Sequence, residues 1–144
     1  NHKYTDKRII SKRINAVLFS TPFSLRSVDF LEKFKVPIYK IASLEITDLN
    51  LIKYIASKNK PIILSTGMSY EKEVKEANKI LVKNGTRKSD IILLHCTSQY
   101  PSKFNDLNLN EVKKKRLSNE SLTAIEKVLS KYADVVSFFG YNLS

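Results

Sequence analysis

Residues 36–69 read VPIYKIASLEITDLNLIKYIASKNKPIILSTGMS. Two short runs, 38–42 and 61–65, are rich in isoleucine and short enough to be buried strands. Between them Leu51, Ile52, Ile55 and Ala56 fall on one face at helical spacing. Strand, helix and strand in this order make one right-handed βαβ unit, so the two strands are expected to run parallel in one sheet.

The same pattern extends outward. Further apolar runs stand at 16–20, 91–95 and 134–139, and helical stripes at Leu25, Val28, Leu31 and Phe34 and at Val74, Ala77, Ile80 and Leu81. A last stripe, Leu122, Ile125, Leu129 and Tyr132, follows Ser121 as its N-cap. Ser24 and Ser69 are placed to cap the helices they precede. Glu71 and Glu73 suit a first turn, and Asn84-Gly85 is a helix stop. Residues 103–121 break the repeat and read as a long loop with a helical turn at 110–116. The fold class is α/β, parallel strands alternating with helices. An open doubly wound sheet and a (β/α)8 barrel share this signature. A whole barrel needs about 250 residues, so five candidate strands fit only a partial one.

With 144 residues, 42% hydrophobic and 27% charged, the chain suits one folded domain, and its composition disfavours a disordered one. No apolar run reaches the roughly 18 residues of a membrane span, and no signal-peptide core stands at the start, which points to a soluble, cytoplasmic protein. Cys96 is the single cysteine, so neither an internal disulfide nor a cysteine-based zinc site is available. The net charge of +11 is spread along the chain. Its one dense run, Lys113-Lys114-Lys115-Arg116, has no interleaved aromatic residues for stacking bases. A solvated basic surface is expected, with no nucleic-acid or membrane partner.

Ligands of parallel α/β folds bind outside the carboxyl ends of the strands. Four successive strands end in polar residues: Ser20-Thr21; Lys40 and Ser43; Ser65-Thr66 with Gly67; and His95, Thr97 and Ser98. Any one hydroxyl there is most simply a helix cap. Four together, beside helix starts that point partial positive charge at one spot, make a cradle for a small anion. Alternation places Lys40 inside a strand covered on both faces. Its ammonium then needs a carboxylate such as Glu45, a bound anion, or a stem long enough to reach solvent. His95 is expected as a satisfied core residue and Met68 as packing at a helix start, since no second histidine stands at metal-ligand spacing.

The segments FSTPFS (19–24), VPIYKIASLEITDLNLIKYIASKNKPIILSTGMS (36–69) and ILLHCTSQYPS (92–102) resemble successive motifs of the N-acetylneuraminate (sialic acid) synthase family, over about residues 16–110. The resemblance implies a (β/α)8 barrel that condenses phosphoenolpyruvate with an N-acetylated amino sugar such as N-acetylmannosamine, assisted by Mn2+ or Mg2+, in a homodimer. By motif, Thr21, Lys40, Ser43, Ser65 and Ser98 correspond to residues that hold phosphoenolpyruvate, Tyr100 to a sugar contact, and Glu45 to the carboxylate beside the reacting carbons. Lys40 and Glu45 are thus the catalytic candidates. Three departures stand out. Leu44 occupies a position where the family has glycine, which is expected to crowd or tilt Glu45. Residues 138–144, FFGYNLS, lack the family's metal-binding histidine, so the chain itself is expected to hold no metal ligand, and 111–144 diverge. The family's first two strands and its C-terminal antifreeze-like domain are not represented. The alternative expectation is therefore a non-catalytic remnant, or a phosphoenolpyruvate-binding module without turnover, prone to self-association through uncovered strand edges.

Overall fold

The computed structural model describes residues 2–99 and 103–106. Within that span every expected helix forms, and local chemistry sets its ends. Ser24 is extended and its hydroxyl accepts the Ser27 N–H at 3.2 Å, opening α2 (Leu25–Lys33). The Asp48 carboxylate does the same for the Leu51 N–H at 3.0 Å, at the start of α3 (Leu49–Ala56). α4 (Glu71–Lys83) starts one residue later than Ser69 capping would allow. Tyr70 is the N-cap, because the Glu73 carboxylate reaches back to accept the Tyr70 N–H at 2.7 Å. The helix stop at Asn84-Gly85 holds. Gly85 has φ +115, its N–H donates to Val82 O, and the Thr86 N–H donates to Leu81 O, the two bonds of a Schellman end. α1 (His2–Arg13) was not marked by any apolar stripe, and two of its apolar residues, Ile9 and Ile10, are exposed.

Three strands, β1 (Tyr39–Ile41), β2 (Ile62–Ser65) and β3 (Ile91–Leu94), pair in parallel in the order β1-β2-β3. Tyr39 sits opposite Ile62, and Ile62 opposite Ile91. The run at 16–20 contributes only an isolated parallel bridge from Ser20 to Tyr39. It is bonded to β1 at its carboxyl end alone, the Lys40 N–H donating to Ser20 O at 3.4 Å, and one bond does not extend into a ladder. The run at 91–95 stops at Leu94, leaving His95 outside the ladder and exposed rather than in the core. A short 3-10 turn, Phe104–Asp106, lies in the expected long loop. The strand at 134–139, the helix after Ser121 and the turn at 110–116 lie outside the described residues.

Alternation sorts the strands into two faces. Tyr39, Ile41, Ile62, Leu64 and Ile91 form one buried cluster with Val28 and Leu31 of α2, Leu51, Ile52, Ile55 and Ala56 of α3, and Ala77 and Leu81 of α4. All three helices therefore cover the same face. Strands in sequential parallel order, with the described helices that precede and connect them all on one side, wind as an arc of a barrel; a doubly wound sheet would reverse its strand order and use both faces. The sequence left these two architectures open, and the winding decides between them. The opposite face carries Lys40, Ile63 and Ile92 in one register row and Ser65 with Leu94 in another.

Candidate functional site

The carboxyl ends of the strands bring most of the polar candidates to one rim. Lys40 lies in the middle of β1 on the face away from the helices, and it is half-buried rather than covered on both sides. Among the described residues its ammonium has no ion pair and no hydrogen bond. The expected pairing with Glu45 does not form. Glu45 sits in the 3-10 turn Ser43–Thr47 that follows β1, and its Oε2 is buried with no partner. Leu44 does not crowd it, because the Leu44 side chain turns outward and is 65% exposed. One strand further, Ser65 is 5% exposed and its hydroxyl has no partner among the described residues. Ser69, freed from the capping role expected of it, also keeps a buried Oγ without a partner. Met68 is 56% exposed and does not pack the helix start.

The ends of β1, β2 and β3 are tied together through one residue whose role the sequence did not announce. The Gly67 N–H donates to Ser43 Oγ at 3.0 Å, and Ser98 Oγ donates to Gly67 O at 3.3 Å. The preceding residue is pinned as well: both the N–H and the hydroxyl of Thr66 donate to Leu94 O, at 3.2 Å and 2.8 Å. A Cβ on Gly67 would stand 3.1 Å from Cys96 Cβ and 3.2 Å from Cys96 O. The glycine is there for close approach of the two strand ends.

Thr21 follows the bridged Ser20 and is partly buried. With Ser20, Arg26, Ser27, Phe30 and Leu31 it lines an open depression beside α2. Thr21 is therefore next to the rim, at the far side of β1 from Ser65. Ser98 is exposed at the rim, and Tyr100 lies outside the described residues. Among the described residues no three His, Cys, Asp or Glu side chains gather to hold a metal ion. Nor is any described helix long and apolar enough to cross a membrane.

Among the described residues, the half-buried ammonium of Lys40, the hydroxyl of the buried Ser65 and the buried Glu45 Oε2 stand in or just after neighbouring strands with no protein partner. Known proteins carry the same framework. The chain is 50% identical over 99 residues to the N,N'-diacetyllegionaminic acid synthase of Campylobacter jejuni, covering 69% of this chain and 30% of that protein. It is 43% identical over 100 residues to the pseudaminic acid synthase of Helicobacter pylori, covering 69% of this chain and 29% of that protein. The solved N-acetylneuraminic acid (sialic acid) synthetase of Leptospira borgpetersenii, in complex with citrate, superposes with a TM-score of 0.67 at 34% identity, over 72% of this chain and 35% of that one. The chain thus spans about 30% of the length of the curated relatives it matches. The NeuB family model matches residues 2–121, most of the sequence and the whole of the rim just described, and on that match the chain belongs to the NeuB family.

Proposed function

We propose that this rim binds phosphoenolpyruvate for a nonulosonic acid synthase, which joins it to an N-acetylated amino sugar such as N-acetylmannosamine. The observation that carries the reading is the set of groups unpartnered among the described residues: the Lys40 ammonium in β1, Glu45 Oε2 in the turn after it, and the Ser65 hydroxyl at the end of β2. The naming of the relatives as synthases of legionaminic and pseudaminic acids supports the class of product.

In this reading Lys40 pairs with the negative charge of the substrate, while Ser43, Ser65 and Thr21 supply hydroxyl donors to its carboxylate and phosphate oxygens. Glu45 stands beside the reacting carbons. As the enol carbon attacks the sugar aldehyde, positive charge develops on the carbon that bears the phosphate, and a carboxylate there lowers the barrier. Water then adds to that carbon, and phosphate leaves with its bridging oxygen, the C–O bond breaking. A divalent metal, which would polarise the aldehyde, must draw its ligands from outside the described residues.

Titration calorimetry of the chain with phosphoenolpyruvate tests the binding half, with Lys40→Ala as the control. Heat that saturates in the wild type and vanishes in the variant is expected. No heat in the wild type, or equal heat in both, sinks the reading. A phosphate-release assay with N-acetylmannosamine added separates turnover from binding without turnover.

A further inference from the structure

We infer that Gly67 is a positioning residue that sets the hydrogen-bonding bias of two rim hydroxyls, leaving the Ser43 hydrogen free to donate and Ser98 with only lone pairs toward whatever occupies the rim. The inference deepens the phosphoenolpyruvate reading and, for its binding consequence, rests on it.

A serine hydroxyl has one hydrogen to give and two lone pairs to receive, and it normally rotates to suit its surroundings. Here the two peptide groups that flank Gly67 narrow that freedom at two places. The Gly67 N–H occupies a lone pair of Ser43 Oγ at 3.0 Å, so the Ser43 hydrogen is left over and points to another acceptor. An anion is the natural one. The Gly67 carbonyl takes the hydrogen of Ser98 Oγ at 3.3 Å. Ser98 is then left with lone pairs only, and these suit a substrate hydroxyl or a bound water rather than a phosphate oxygen. This differs from the role that the family resemblance implies for Ser98, which is an anion contact.

The arrangement depends on the absence of a side chain. Gly67 does not adopt positive φ, so glycine is not required by the backbone there. It is required by space, since a Cβ would meet Cys96 Cβ at 3.1 Å and Cys96 O at 3.2 Å. Thr66 holds the loop in place with two donors to Leu94 O, so the Gly67 peptide cannot simply turn away. Adding a methyl group must push the ends of β2 and β3 apart by a few tenths of an ångström. The Gly67 N–H then moves relative to Ser43 while the core faces of both strands stay where they are.

The experiment combines two readouts on wild type, Gly67→Ala, Ser43→Ala and the double variant. Because the chain has three glycines, selective 15N-glycine labelling yields three amide signals, and the one lost in Gly67→Ala is Gly67. Its hydrogen exchange should quicken about tenfold in Ser43→Ala, as the amide loses its acceptor. Unchanged exchange overturns the inference. In calorimetry with phosphoenolpyruvate each single variant should bind about tenfold or more weakly, and the double variant no worse than the weaker single one, because both changes remove the same donor. Multiplied losses in the double variant, or wild-type affinity in Gly67→Ala, also overturn it. If the wild type binds no phosphoenolpyruvate, the proposed function fails while the exchange measurement still decides the role of Gly67. If Gly67→Ala does not fold, Ser43→Ala alone decides in the same way.

Discussion

Replacing Lys40 by methionine should stabilise the empty protein and disable its rim. The ammonium lies half-buried on the face of β1 that the helices leave uncovered, beside Ile63 in the register, with no carboxylate to neutralise it among the described residues. A charge held partly out of water there loses some hydration, and no protein group among the described residues returns it. Methionine fills the same length with apolar surface and removes that cost, for a gain of about 1 kcal/mol, the usual size for relieving a functional site of its strain. Binding should move the other way. An ion pair at about 4 Å near a protein surface is worth about 4 kcal/mol before desolvation is subtracted. What remains, about 2–3 kcal/mol, corresponds to a roughly 30- to 150-fold weaker affinity for phosphoenolpyruvate. Urea denaturation measures the first effect and calorimetry the second. The reasoning is refuted if Lys40→Met lowers stability by more than about 1 kcal/mol, which would mean that the lysine has a structural counter-charge, or if affinity stays within about threefold of wild type.

Four further outcomes are expected. Ile55→Ala empties a fully buried position shared by α3 and the sheet and should cost about 2–5 kcal/mol in urea denaturation. Gly85→Ala puts an L residue at φ +115 with its Cβ 2.4 Å from Asn59 Oδ1, and should cost about 2 kcal/mol or more; a variant as stable as wild type would contradict the Schellman end. Leu44→Gly, at a side chain that is 65% exposed, should change phosphoenolpyruvate affinity less than about threefold, since Leu44 does not press on Glu45. Burial raises the Glu32 carboxyl, but hydrogen bonds from Lys60 and Tyr39 and the Lys60 charge outweigh it and hold the group below its ordinary value. Its contribution is therefore complete above the unfolded-state value and lost as pH falls through the lower folded value. The urea midpoint of Glu32→Gln should fall less on acidification than that of wild type.

The sequence marks the helix stripes and three of the strands because both are written in periodicity, and the packing of Val28, Leu31, Ile55 and Leu81 follows it. What it leaves open depends on groups far apart in the chain. The run at 16–20 looks like a strand by composition, but a strand exists only by its neighbours, and this one is bonded only through Ser20. His95 continues the apolar run of β3 past the point where the ladder ends, and nothing local marks that point. Ser69 and Tyr70 compete for one helix start, and the Glu73 carboxylate decides in favour of Tyr70. The rim residues were legible as a group from their places at strand ends. Their bonding was not: Ser43, Ser98 and Gly67 come from three separate units, and Glu45 stays unpartnered although Lys40 lies only five residues before it.

The two faces of the sheet divide the labour of the chain, and the division is a matter of parity. Along β1, Tyr39 and Ile41 are completely buried against the helices while Lys40 between them is not. Along β2, Ile62 and Leu64 hold the core while Ser65 ends the strand on the other face. Stability is therefore concentrated in one set of alternate residues and the proposed ligand contacts in the other, and a shift of register by one residue would exchange them. Because Ile55 packs on the helix-covered face and Lys40 lies on the opposite one, their substitutions should act independently. Pairing Ile55→Ala with Lys40→Met tests this: the stability changes should add within about 0.5 kcal/mol, and the loss of phosphoenolpyruvate affinity should be that of Lys40→Met alone in the folded protein. A coupling larger than about 1 kcal/mol would mean that the rim is held by the core packing itself rather than by the hydrogen bonds at the strand ends.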